Sequence, residues 1–170
     1  YTGEIKKNKV QQTYSPSMDI QISSNFERQI FESVNNDSDE VNKIMSLLDK
    51  NDHYIFDNEI KKRFQQIYKS YSVTNEKTLD TIKIFNSQYN YLADPHTATG
   101  LSVLHENNFE HPVISLGCAH PAKFGNAIKK SIDIDISLPK VLENIFDKKE
   151  NMHILNNNSE DIKKFILKNI

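Results

Sequence analysis

The sequence predicts an α/β protein with few parallel strands, many helices and a sheet left incomplete. Three observations carry this. Helical spacing of apolar residues recurs through the first half, as at Ile60, Phe64, Ile67 and Tyr68. In the second half apolar runs alternate with helical stretches, the order that parallel strands joined by crossover helices produce. One run, "HPVISLGCA", is apolar almost throughout, as a central strand covered on both faces would be. Few such runs are available, so the sheet is expected to be incomplete.

Composition narrows the partners. The 170 residues suit one domain with a real core. Net charge is −2, and basic residues come singly or in pairs among acids, which argues against a nucleic-acid partner. No apolar run approaches the roughly 20 residues of a membrane span, so no membrane partner is expected. The opening "YTGEIKKNKV" has no apolar core of a signal peptide. A single cysteine makes no internal disulfide, which points to the reducing cytoplasm. The chain lacks an initiator Met and is expected to be a fragment.

Residues 1–12 are polar and read as a connector, 13–90 as a mostly helical segment, and 91–170 as an α/β segment of the same single unit. "QQTYSPSMDI" is extended and broken by Pro16. Ser24 and Glu27 have capping-box spacing before a helix with Phe26, Ile30, Phe31 and Val34 on one face. Ser38 is the expected cap of a helix through Val41, Ile44, Leu47 and Leu48. The stretch from His53 to Tyr71 predicts a helix. Thr74 caps the next, with Leu79, Ile82, Phe85 and Tyr89 inward. "YNYLADPHTATG" predicts a short strand, a Pro turn and a helix capped by Thr97. "HPVISLGCA" is the central strand, and "PAKFGNAIKKSI" is a helix with Pro121 in its first turn. Leu138 to Phe146 carries Val141, Leu142, Ile145 and Phe146 at helical spacing. "NMHILN" is a short edge strand, and Ser159 caps a last helix with Ile162, Phe165 and Ile166 inward.

The two strand-to-helix corners, "LADPHTATG" and "LGCAHPAKF", are where chemistry is expected, because ligands of open α/β sheets bind beyond the carboxyl ends of strands. Cys118 stands at the second. Its plain reading is a small buried hydrophobe; a nucleophile would need an activating base and an orienting third group, and no such arrangement is apparent. The six histidines form no i, i+4 pair and repeat no known ligand spacing, so no metal site is expected. Asp94, before Pro95, reads as a turn former or cap, and Lys123 as a solvated first-turn lysine.

At these same residues the chain resembles the C-terminal part of threonine synthases, pyridoxal-phosphate enzymes of the tryptophan-synthase-β-like fold. The matching phrases are "YSPSMDIQISSNFER", "DPHTATG" and "CAHPAKF", with "SVTNEKTLDTIKIF" and "LPKVLENIF" in family order. The resemblance covers essentially the whole chain. It implies the C-terminal portion of a fold-type-II large domain, whose sheet is completed by a missing N-terminal part, and pyridoxal 5'-phosphate as cofactor. It implies a substrate, O-phospho-L-homoserine, converted with water to L-threonine and phosphate by β,γ-elimination and replacement, and thus a carbon–oxygen lyase acting on phosphates. The family usually has Thr in a phrase like "TAHPAKF"; here Cys118 stands at that position. Cys118, Ala119 and His120 are then cofactor-binding, with the thiol beside the ring nitrogen. Asp94, His96 and Thr97, with Ser17 and Asp19 of "SPSMDI", are expected to line the cleft. The Schiff-base lysine and phosphate-cradling glycine loop belong upstream in the family, so no catalytic residue is expected within this chain and the chain alone is expected to be inactive. A related amino-acid dehydratase, or a domain that kept the fold and lost the cofactor, are the alternatives.

Overall fold

The computed structural model describes residues 2–170; Tyr1, where the expected connector begins, lies outside the described residues. Contacts divide the chain into a unit ending at Ile136 and a small unit, Ser137–Ile170. The architecture is mostly helical α/β with one two-stranded sheet.

In the larger unit, β1 (Glu4–Lys6) pairs antiparallel with β2 (His53–Ile55), with Ile5 opposite Tyr54. Both strands correct the sequence reading: β1 lies inside the expected connector and β2 inside the expected helix from His53. That helix is confined to α3 (Asn58–Ile67), because the Asp57 carboxylate accepts from the Glu59 and Ile60 amides and caps it there. Pairing turns Tyr54 inward, and Phe56 follows into the core. Helices α1 (Ser24–Ser33) and α2 (Ser38–Asn51) pack with them. Ile30, Val41, Ile44 and Phe56 form a buried cluster, with Phe26 and Phe64 against it; the Phe56 and Phe64 rings meet edge-on at 5.4 Å.

A second cluster belongs to α4 (Asn75–Tyr89), α5 (Pro95–Glu106) and α6 (Gly125–Ile132). Ile82, Ala93, Ala98, Leu101 and Ile128 are buried there, with Phe85, Leu92, Leu104 and Ile132 packed on them. Thr74 caps α4 as expected, its hydroxyl accepting from the Lys77 amide. Asp52, Asn90 and Asp133 end α2, α4 and α6 in the left-handed conformation, which short polar side chains tolerate where glycine is scarce.

Four caps differ from expectation. Ser23, not Ser24, caps α1; Asp37, not Ser38, caps α2; Asp94, not Thr97, caps α5. In the small unit Asn158, not Ser159, caps α7 (Ser159–Asn169). A cap needs an extended backbone one residue before the helix, and each expected residue already lies inside the first turn. Leu138–Phe146 forms two tight turns, Lys140–Leu142 and Ile145–Asp147, instead of a helix, because Pro139 starts one turn and neither is continued. In α7 only Phe165 is partly covered; Ile162 and Ile166 are exposed.

The three expected strands, around Tyr91, through Val113–Leu116 and through Met152–Leu155, have no pairing partner among the described residues. A strand exists only by exchanging hydrogen bonds with a neighbour. In the second and third of these the apolar side chains face outward instead, Ile114 at 86 % and Leu116 at 77 % exposure, whereas Leu92 and Ala93 after Tyr91 pack into the second cluster.

Candidate functional site

The corner from Leu116 to Phe124 is held against the first turn of α5 by one buried carboxylate. Asp94 is 1 % exposed, His96 6 % and Thr97 3 %. The Asp-Pro-His-Thr order explains the placement: Pro95 suits the first helical position, and the carboxylate before it caps by accepting from the His96 amide at 2.9 Å. The same oxygen, Oδ1, accepts from His96 Nδ1 at 3.1 Å. The other, Oδ2, accepts from the Thr97 hydroxyl and from the Ala119 amide, the latter at 3.1 Å. Thr97 Oγ1 in turn accepts from the Cys118 amide at 2.8 Å.

His96 also reaches the "SPSMDI" segment, where its Nε2 accepts from the Ser17 amide at 3.2 Å. A ring nitrogen that accepts carries no proton, so the proton is on Nδ1, where it points at Asp94. The ring lies 4.7 Å from that of Phe124. Further bonds hold the same segment. Tyr14 N donates to Asn75 of α4, and Lys130 Nζ of α6 donates to the Tyr14 hydroxyl at 2.9 Å while lying over its ring. The Thr99 hydroxyl lies 3.6 Å from Met18 Sδ.

Burial pushes the Asp94 carboxyl up. Hydrogen bonds from the Thr97 hydroxyl, the His96 and Ala119 amides and the His96 ring together outweigh it and hold the group below the usual carboxylate range.

The structure thus brings together Asp94, His96, Thr97, Ser17, Cys118 and Ala119. Asp19 stands apart, accepting from the Thr13 amide and hydroxyl at 2.7 Å each and closing its own loop. His120 is exposed and caps the turn Pro121–Phe124, Nδ1 accepting from the Ala122 amide at 3.2 Å. The Cys118 thiol is exposed, with Leu116 O at 3.6 Å, which corrects its reading as a buried hydrophobe. Sequence reasoning missed Phe124 as a packing partner and the Cys118 and Ala119 amides as the atoms held; "DP" before a helix was the one available signal. A separate apolar groove of about 570 Å³ is lined by Phe26, Phe56, Phe64 and Tyr68, and none of the corner residues faces it. Among the described residues no group of three His, Cys, Asp or Glu could hold a metal, and no helix is long and apolar enough to cross a membrane.

The fold and corner define a helical α/β segment built around one turn that leads into a helix, with a pinned backbone and an exposed thiol. A family model for the C-terminal part of threonine synthase matches residues 97–166. The threonine synthase of Pseudomonas aeruginosa is 29 % identical over 163 residues, 94 % of this chain and 35 % of that protein. That of Saccharomyces cerevisiae is 37 % identical over 145 residues, 75 % of this chain and 28 % of that protein. A crystal structure of PLP-bound threonine synthase from Brucella melitensis superposes with a TM-score of 0.81 at 33 % identity, covering 97 % of this chain and 36 % of that one. The chain is thus similar over nearly its whole length to the C-terminal part of threonine synthases and spans about a third of the length of the relatives it matches.

Proposed function

We propose that the protein to which this chain belongs converts O-phospho-L-homoserine and water to L-threonine and phosphate, with pyridoxal 5'-phosphate as cofactor. This chain would supply the wall against which the cofactor's ring is held, within residues 91–170, and the reaction would take place in the cytoplasm. The observation that carries the reading is the exposed Cys118 thiol on a backbone pinned from below by Asp94 and Thr97.

The donor set fits the group. An uncharged thiol is offered outward, while the corner's carboxylate is buried with both oxygens occupied. When bound, pyridoxal phosphate supplies an electron sink for the carbanions of elimination and water addition. Cys118 would meet the ring nitrogen and, being neutral, leave it largely unprotonated. Ala119 and His120 would continue that wall, with Asp94, His96, Thr97 and Ser17 behind and beside it and Asp19 on the neighbouring loop. The lysine that bonds the cofactor, and the loop that holds its phosphate, would come from outside this chain.

The test is phosphate release from O-phospho-L-homoserine by the full-length protein and its Cys118 variants. Ser and Thr should support more turnover than Ala, which loses a neutral partner worth about 1 kcal/mol, or roughly five-fold. Asp, which would protonate the ring nitrogen, should be slowest and shift the bound cofactor's absorbance. Ala matching Thr would remove the cofactor role of Cys118. Deamination of L-threonine without phosphate release would favour a dehydratase.

A further inference from the structure

One chain of hydrogen bonds links three segments far apart in sequence. It runs from the Ser17 amide through the His96 ring to Asp94, and from Asp94 directly to the Ala119 amide and through Thr97 to the Cys118 amide. Its polarity is determined at every step. Backbone amides can only donate, which makes His96 Nε2 and Thr97 Oγ1 acceptors at one end. It leaves each with one proton to give, and Asp94 takes both. Asp94, His96 and Thr97 are almost fully buried, and these bonds use the one side-chain proton of His96 and the one of Thr97.

We propose that His96 and Thr97 are positioning residues. Through the shared Asp94 carboxylate they set the peptides on either side of Cys118 and the Ser17 loop in one register, and so aim the thiol, without touching a ligand themselves. This rests on the reading of the corner as the cofactor's seat.

Thr97→Val keeps the shape and removes the hydroxyl, leaving the Cys118 amide without its acceptor; Thr97→Ser keeps it. In the isotope-labelled chain, amide exchange at Cys118 should quicken about ten-fold in the Val variant and stay near the wild-type rate in the Ser variant, as expected for loss of one hydrogen bond. Exchange at the Ile82 and Ile128 amides, in the core beside the corner, should not change and reports whether the variant is folded. Nitrogen NMR of the unaltered chain should find His96 protonated on Nδ1 and bare on Nε2. Equal Cys118 exchange in Val and wild type, or a proton on Nε2, overturns the inference, and the second result needs no variant. In the full-length protein, the dissociation constant for pyridoxal phosphate should rise about ten-fold with Val and be restored by Ser. If exchange responds and cofactor affinity does not, the register role stands and the cofactor-seat reading falls.

Discussion

Replacing Asp94 with Asn removes one charge and almost no volume, so its effect can be worked from the bonds alone. All four partners of the carboxylate donate: the His96 amide and ring on one oxygen, the Thr97 hydroxyl and Ala119 amide on the other. A side-chain amide has one end that accepts, its oxygen, and one end that only donates, its nitrogen. With its nitrogen toward Ala119, that backbone N–H meets another donor; Thr97 can turn its proton away, but the peptide cannot. With its nitrogen toward His96, the His96 amide is stranded. The ring would then have to move its proton to Nε2, where the Ser17 amide loses its acceptor. Either orientation leaves a buried N–H unpaired and replaces bonds to a charge by weaker ones, a loss of about 2–4 kcal/mol at neutral pH.

The loss should depend on pH with a definite sign. The folded chain holds the Asp94 proton less tightly than the unfolded one, because its hydrogen bonds favour the charged form. This contribution is therefore complete above the ordinary aspartate value of 3.8 and is lost as pH falls through the lower folded value. The Asn variant has no such proton. Urea titrations of the chain and the variant, followed at the amide resonances of α4 to α6, should show a gap that is full near neutrality and narrows in acid. A neutral-pH gap below about 0.5 kcal/mol, the size of an ordinary surface substitution, would refute the reasoning. So would a gap that widens on acidification.

Two further outcomes follow from packing and capping. Asp37→Ala should cost about 1 kcal/mol in urea unfolding, because the Asp39 and Glu40 amides lose their cap, while Ser38→Ala should stay within about 0.5 kcal/mol; equal effects would return the cap to Ser38. Ile82→Ala empties a fully buried position among Ala93, Ala98, Leu101 and Ile128 and should cost about 2–5 kcal/mol at the same resonances, with a value below about 1 kcal/mol contradicting the packing.

Local order was largely legible in the residues. Thr74 and the helix after it, the helices through Ile44 and Ile30, and Pro121 at the start of a turn all follow from spacing and capping chemistry, which act within a few residues. The caps of α1, α2 and α7 were misplaced by one residue where two capable side chains adjoin, in "SS", "DS" and "NS". Either could cap by chemistry, and the backbone angle of the first decides. The phrases at the corner were visible as well, since Asp-Pro marks a helix start and a Cys-Ala-His-Pro turn stands out after an apolar run.

What the residues could not disclose is pairing at a distance. His53–Ile55 reads as the start of the helix whose spacing Ile60, Phe64, Ile67 and Tyr68 carry, yet it is a strand because Glu4–Lys6 lies beside it, and that pairing turns Tyr54 inward. "HPVISLGCA" has the composition of a strand and no partner among the described residues, so composition alone did not make it one. The corner obeys the same limit. Ser17 and His96 are 79 positions apart, and Asp94 and Ala119 are 25 apart. Each side chain carried its donors and acceptors in the sequence. That one buried carboxylate should take up four of those donors was decided by the packing that excludes water from it, because a carboxylate out of water must find its hydrogen bonds in the protein.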